Sequence, residues 1–246
     1  MPSVFHRLSR LFWPDLCLVC RRRLASGERY VCASCADELP VTRFDSARHN
    51  EVCDRFAGKL PFVQAASAFH YEKESGLQTL FEAFKYRGNA DLAYYLGAMA
   101  AYRLQGTGLF EGVEVLVPVP LHPDRLRHRG YNQSEWIARG MASVCGLPVE
   151  PDALVRRVFT STQTRKGIWQ RQENVKAIFA LADDDEDAGD VSSCPGNTTG
   201  GGKLLAGKHV LLVDDVITTG ATSEACAQAI LEAPGARVSF FSLALA

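Results

Sequence analysis

Val210-Leu211-Leu212-Val213-Asp214-Asp215-Val216-Ile217-Thr218-Thr219-Gly220-Ala221-Thr222 is the stretch whose reading decides the fold. Val210 to Val213 is a short apolar run, rich in β-branched residues, as expected of a parallel strand covered on both faces. Asp214 and Asp215 follow where that strand is expected to leave the sheet, the edge at which open α/β folds bind ligands. Thr218 to Thr222 then supply hydroxyls, a glycine and backbone N–H groups. A helical pattern begins directly after them (Ala225, Cys226, Ala229, Ile230), so the helix N-terminus is expected to face the same pocket. A carboxylate accepts hydrogen bonds from a vicinal diol, and a hydroxyl-rich helix start holds a phosphate dianion. The two together describe a pocket for a ribose 5-phosphate. The plainer reading is an ordinary strand–turn–helix corner, for which paired acids beside Thr-Thr-Gly-Ala-Thr serve no packing purpose.

The chain around this stretch has 246 residues, enough for one large or two small domains with a real core. A formal net charge of −1 gives no global pull toward nucleic acid. No apolar run approaches the length of a membrane span. Met1 to Trp13 carries His6, Arg7 and Arg10 and lacks the continuous apolar core of a secretory signal. Val4, Phe5, Leu8, Leu11 and Phe12 fall instead at helical spacing, which predicts a short amphipathic helix. A cytoplasmic location is the expectation, and the eight cysteines then argue for metal or free thiols rather than disulfides.

Four of those cysteines have metal-site spacing. Cys17-Leu18-Val19-Cys20 and Cys32-Ala33-Ser34-Cys35 are two C-x-x-C pairs, each able to form a knuckle that presents two thiolates to one side. Two knuckles make a tetrahedral four-sulfur site, which suits structural Zn²⁺. So short a segment cannot build its own core, so the metal would supply folding energy. Four free thiols are the alternative, and a redox pair would need a βαβ context that is absent. Cys53, Cys145, Cys194 and Cys226 lack such spacing, and Cys145 and Cys226 are expected in the core.

The order of parts follows from the periodicities. Residues 42–59 read as a polar loop and Phe62 to Tyr71 as a strand. Leu77, Leu80, Phe81 and Phe84 predict a helix over 76–87, stopped at Gly88-Asn89. Leu92, Tyr95, Leu96 and Met99 predict a second, ending near Gly106. Glu114 to Pro120 reads as the first strand of the α/β core. Asn132 with Glu135 resembles a capping box for a helix carrying Ile137, Met141 and Val144. Further strand-like runs occur at 154–159, at 176–181 and at Arg237–Leu245, and strands alternating with helices argue for a parallel sheet. The acidic and glycine-rich stretch 183–203 reads as a solvated loop rather than a metal site. No internal repeat is present.

Two more segments bear on function. Pro118-Val119-Pro120-Leu121-His122 runs on to Arg129-Gly130-Tyr131-Asn132-Gln133-Ser134, with Arg125, Arg127 and His128 between. It lies between a strand and a helix and carries what a pyrophosphate loop needs, backbone N–H groups and guanidinium forks. It is also compatible with a basic surface loop that packs through Tyr131. Gln163, Thr164 and Arg171 belong to a polar segment between two strands, which fits either a lid that excludes water or a surface loop with solvated cations.

In their order and content these segments resemble the ComF family. The elements that carry the likeness are Cys17–Cys35, Lys85-Tyr86-Arg87-Gly88, residues 118–134, residues 163–179 and residues 210–222, so it covers nearly the whole chain. The 210–222 stretch taken alone resembles the signature of the type I phosphoribosyltransferases, which bind phosphoribosyl pyrophosphate (PRPP) with Mg²⁺. Two departures stand out: only Cys53 remains where many members have a second C-x-x-C cluster, and the insert at 183–203 is extra.

The resemblance implies an α/β fold. Its core would be a Rossmann-like parallel sheet of the type I phosphoribosyltransferase kind (110–246). Before it would come a Cys₄ zinc-ribbon-like module with the amphipathic helix (1–59) and a helical connecting segment (60–109). Asp214 and Asp215 would be the catalytic pair and take the ribose hydroxyls. Thr218, Thr219, Gly220, Ala221 and Thr222 would complete the PRPP site, Arg129 and Gly130 would face pyrophosphate, and Gln163, Thr164 and Arg171 would form the lid. Cys17, Cys20, Cys32 and Cys35 would bind Zn²⁺. The implied activity is phosphoribosyl transfer from Mg²⁺·PRPP. A non-catalytic alternative is a module that binds single-stranded DNA or a competence-machinery protein, with Arg21-Arg22-Arg23 and Tyr30 as candidate contacts. Three arginines on such a loop are more often simply solvated.

Overall fold

The structure, a computed structural model, describes residues 15–157, 178–182 and 200–246. The amphipathic pattern at Val4–Phe12, the segment with Gln163, Thr164 and Arg171, and Cys194 with most of the acidic insert lie outside the described residues.

In chain order the elements are α1 (Ala33–Asp37), α2 (Glu51–Phe56), β1 (Ala65–His70), α3 (Gly76–Tyr86) and α4 (Ala90–Leu104). There follow β2 (Val115–Pro118), α5 (Pro123–Arg129), α6 (Gln133–Cys145), β3 (Leu154–Arg156) and β4 (Phe179–Leu181). The last are α7 (Gly201–Leu205), β5 (His209–Ile217), α8 (Ala221–Leu231) and β6 (Arg237–Leu245). The core is α/β, with a four-stranded sheet in the order β1-β6-β5-β2 and every neighbouring pair parallel.

The strands are apolar on both faces because both are covered. Leu211 and Val213 of β5 and Phe241 and Leu243 of β6 point into one cluster with Leu80, Phe84, Leu96 and Ile137 of the helices. Val210 and Leu212 of β5, with Val238 and Phe240 of β6, point into a second cluster with Phe56, Cys226 and Ile230. The alternation is the two-residue period of a strand. On the first face α4 crosses α6 at backbone contact: a methyl at Gly97 would overlap the Ile137 carbonyl, and one at Gly140 the Tyr94 carbonyl. The cysteine module joins that face, since Cys17, Val31, Cys35 and Leu39 belong to the same cluster.

Several expectations are corrected. Residues 42–59 are not all loop, because Asn50 caps α2, its Oδ1 accepting from Val52 N at 2.9 Å and Cys53 N at 3.2 Å. A six-residue helix is too short for its periodicity to show. The runs at 154–159 and 176–181 do not extend the parallel sheet. Their described parts, β3 and β4, form a separate antiparallel pair with Val155 opposite Ala180. Asn132 caps α6, but Glu135 does not reach back as a capping box requires; it pairs with Arg139 at 2.7 Å. Finally, β5 does not end before its acids. It continues to Ile217, with Asp214 opposite Ser242 of β6. On its other side the ladder with β2 stops at Pro118 opposite Val213, so the acids stand where β2 drops away.

Candidate functional site

That loss of a neighbour opens a pocket of about 200 Å³, into which Asp214, Asp215, Thr222 and Arg129 all face. Asp214 is 8% exposed. Its Oδ1 accepts from the backbone N–H of Asp215 at 2.8 Å and its Oδ2 from Ser223 Oγ at 3.1 Å. Burial pushes its pKa up to about 7, and the neighbouring Asp215 charge adds to the rise. Asp215 meets Lys85, whose Nζ lies 2.7 Å from its Oδ2.

The turn beyond the acids is held from below by α2. Gly220 has a φ of +82°, and a Cβ there would sit 3.0 Å from Phe56 Cε1, so both the backbone and the space call for glycine. Arg55 donates one hydrogen bond to the Thr218 carbonyl and another, of 3.0 Å, to that of Ala246. Thr218 and Thr219 are exposed, Ala221 opens α8, and Thr222 is the member of this group that lines the pocket.

The opposite wall is the 118–134 segment. After β2 it forms α5, capped by His122 Nδ1 accepting from Asp124 N at 3.2 Å and closed by Gly130 at φ +80°. Arg125 and Arg129, four residues apart, share one helix face and line the pocket, whereas Arg127 turns to Asp124. Gly130 ends the helix and does not line the pocket. The loop is tied down behind: Asn132 Nδ2 donates to the Val119 carbonyl at 3.0 Å, and the Tyr131 hydroxyl donates to the Phe84 carbonyl of α3. Burial pushes the Tyr131 phenol up to about 12.

Two pocket cations, Lys85 and Arg156, were not among the residues expected from sequence, and a third, Arg125, was named only as one guanidinium of the basic loop. Lys85 lies in the Lys-Tyr-Arg-Gly element, which marked it as notable without a role. Arg125 was in the basic loop, undistinguished from its neighbours. Arg156 comes from β3 and carried no signal. Its pKa is lowered by burial and by Arg125, and its guanidinium lies 5.1 Å from the centre of the Phe179 ring. With four cations around two acids among the described residues, one of the acids readily protonated, the pocket favours an anion that also carries hydroxyls.

The cysteine module forms a second site. The sulfurs of Cys17, Cys20, Cys32 and Cys35 all lie within 4.8 Å of one another, and those of Cys20 and Cys32 are 3.7 Å apart. Tetrahedral Zn²⁺ with bonds of about 2.3 Å needs sulfurs about 3.8 Å apart, so the donors fit. Arg22 Nε donates to Cys20 Sγ at 3.4 Å, and this charged donor brings that thiol down to about 6. Burial pushes Cys35 up to about 12, reinforced by the sulfurs around it. Arg21, Arg22 and Arg23 are exposed. Among the described residues no helix is long and apolar enough to cross a membrane.

No family model matches the chain. It is 26% identical over 241 residues to the DNA utilization protein YhgH of Salmonella typhimurium, covering 94% of this chain and 96% of that protein. It is 26% identical to competence protein F of Haemophilus influenzae, over 86% and 88% of the two chains. Competence protein ComFC of Bacillus subtilis is likewise 26% identical, over 95% and 86%. Among solved structures, the glutamine PRPP amidotransferase of Bacillus subtilis matches 66% of this chain with a TM-score of 0.42 and 18% identity. This chain spans 30% of that enzyme's length. Over nearly its whole length, then, the chain is a homologue of competence protein F, ComFC and the YhgH proteins.

Proposed function

We propose that the protein binds Mg²⁺·PRPP in the β5–α8 pocket and transfers its phosphoribosyl group to an acceptor nucleophile. One observation carries the reading: Asp214, Asp215 and Thr222 share a single small pocket with the loop arginine Arg129. In this reading Asp214 and Asp215 accept hydrogen bonds from the ribose 2′- and 3′-hydroxyls. Thr218, Thr219, Gly220, Ala221 and Thr222 cradle the 5′-phosphate with hydroxyls and the N–H groups at the start of α8. Arg129 and the turn at Gly130 face pyrophosphate, joined by Arg125.

The bond from C1 to pyrophosphate breaks as the acceptor approaches, and the ribose carbon passes through an oxocarbenium-like state. Cations beside the departing oxygens and carboxylates beside the ribose stabilise both developing charges. Because the wall is fixed beforehand, little reorganisation is needed. The four-cysteine cluster binds Zn²⁺ as a structural ion, which supplies folding energy to a module without a core of its own. Titration calorimetry with PRPP tests the reading. Binding that needs Mg²⁺ and is lost in Asp214→Asn/Asp215→Asn is expected; no binding to folded, zinc-loaded protein sinks it.

A second reading, single-stranded DNA binding, draws on the names of the relatives and on the exposed Arg21, Arg22 and Arg23 beside the cysteine cluster. It predicts affinity that falls steeply with salt and survives Asp214→Asn.

A further inference from the structure

Lys85 stands in the last turn of α3, far in sequence from both walls of the pocket, yet its ammonium is the group nearest the acid pair. The contact is held in place. The Tyr131 hydroxyl ties the same helical turn to the loop, and the Phe81 ring lies 5.1 Å from Lys85 Nζ. At the other end of the helix, Val19 of the first cysteine knuckle presses on Gly76. The two partners are 20% and 19% exposed, which is deep enough for a firm ion pair and shallow enough for a ligand to reach it. Among the described residues Arg125, Arg129 and Arg156 have no carboxylate partner. Among the described residues Lys85 is therefore the one pocket cation committed to an acid, and the acid it holds is one that a sugar diol would need.

We propose that Lys85 is a positioning residue that couples the two halves of the ligand: it shields Asp215 in the arrangement seen here, and transfers to the pyrophosphate oxygens of an arriving ligand, which frees Asp215 for the sugar hydroxyls. The proposal rests on the pocket taking a phosphorylated ribose. An ammonium on a four-carbon stem can swing between such partners without moving the backbone. A polyanion attracts it more strongly than one carboxylate does. Asp215 is not left stranded, because two hydroxyls donate to it in place of one ammonium. Anion and diol thus favour each other's binding through a single side chain, a coupling that is reciprocal by linkage.

The test is a pair of calorimetric titrations with Mg²⁺ present: ribose 5-phosphate alone, and ribose 5-phosphate in saturating pyrophosphate. In the unmodified protein pyrophosphate should tighten ribose 5-phosphate binding by about tenfold. In Lys85→Met, ribose 5-phosphate alone should bind more tightly than to the unmodified protein, since Asp215 is no longer shielded, and the coupling should vanish. Lys85→Arg should keep the coupling. A merely structural lysine, or one that only adds positive charge, predicts weaker binding of both probes in Lys85→Met, and that result overturns the proposal, as does coupling that persists in the variant. Should Lys85→Met fail to fold, Lys85→Gln is read in the same way. If the unmodified protein binds both probes without coupling, this proposal falls and the PRPP reading stands; if it binds neither, both fall.

Discussion

Replacing Asp214 with asparagine should make the protein more stable while abolishing ligand binding. The native environment holds the Asp214 pKa near 7 against an ordinary 3.8, chiefly through burial. Between those values the native state keeps a proton that the unfolded chain releases, so stability falls as pH rises and levels off above about pH 7. The full interval is worth about 4 kcal/mol, the cost of ionising this carboxyl in place. Asparagine never bears that cost. Its Oδ1 can still accept from the Asp215 N–H, and its amide can donate to Ser223 Oγ, so neither partner is orphaned. Asp214→Asn should thus exceed the unmodified protein by about 2 kcal/mol near pH 5.5 and by about 4 kcal/mol near pH 8. The latter corresponds to a rise in melting temperature of about 10 °C for a chain of this size. Calorimetric melts of both proteins at the two pH values measure it, and pH effects shared by both cancel in the difference. A variant that melts lower at the higher pH, or a gap that does not widen with pH, refutes the reasoning.

Gly140→Ala should cost about 3 kcal/mol in urea unfolding, because the added methyl overlaps the Tyr94 carbonyl and α4 must move off α6. The same change at Gly106, where nothing lies within 4 Å and the backbone does not take a left-handed φ, meets no such clash. The purified protein should carry about one Zn²⁺ per chain by metal analysis. Cys32→Ser should lose it, melt lower and bind a hydrophobic dye, since Val31 and Leu39 share a cluster with the helices over the sheet.

The legible parts of the molecule were those written in local pattern. β5 with its acids, the glycine turn and α8 follow one another without a break, and so could be read as a unit. β6, α3 and α4 announced themselves by uninterrupted periodicity, and the cysteines by spacing. What escaped notice depends on chain segments that meet only after folding. Phe56 matters because it lies under Gly220, and Lys85 because it reaches Asp215, 130 positions away in the chain. Neither contact leaves a trace in the neighbouring sequence. The β3–β4 pair was misassigned for a related reason: three-residue strands carry too little pattern to reveal their direction.

The contrast between the two walls of the pocket bears on how such a protein can change. No residue of α5 is buried, whereas β5 is enclosed almost to its end. Substitutions on an exposed helix of this kind typically shift stability by less than about 0.5 kcal/mol, while those in a packed strand cost several times more. New side chains can therefore be tried at Arg125, Leu126 or Arg129 with the fold intact. At Leu212 or Val213 most would be lost before any effect on binding was felt. The pocket pairs an adaptable wall with an inflexible one, and ligand preference is free to drift on the side that carries α5.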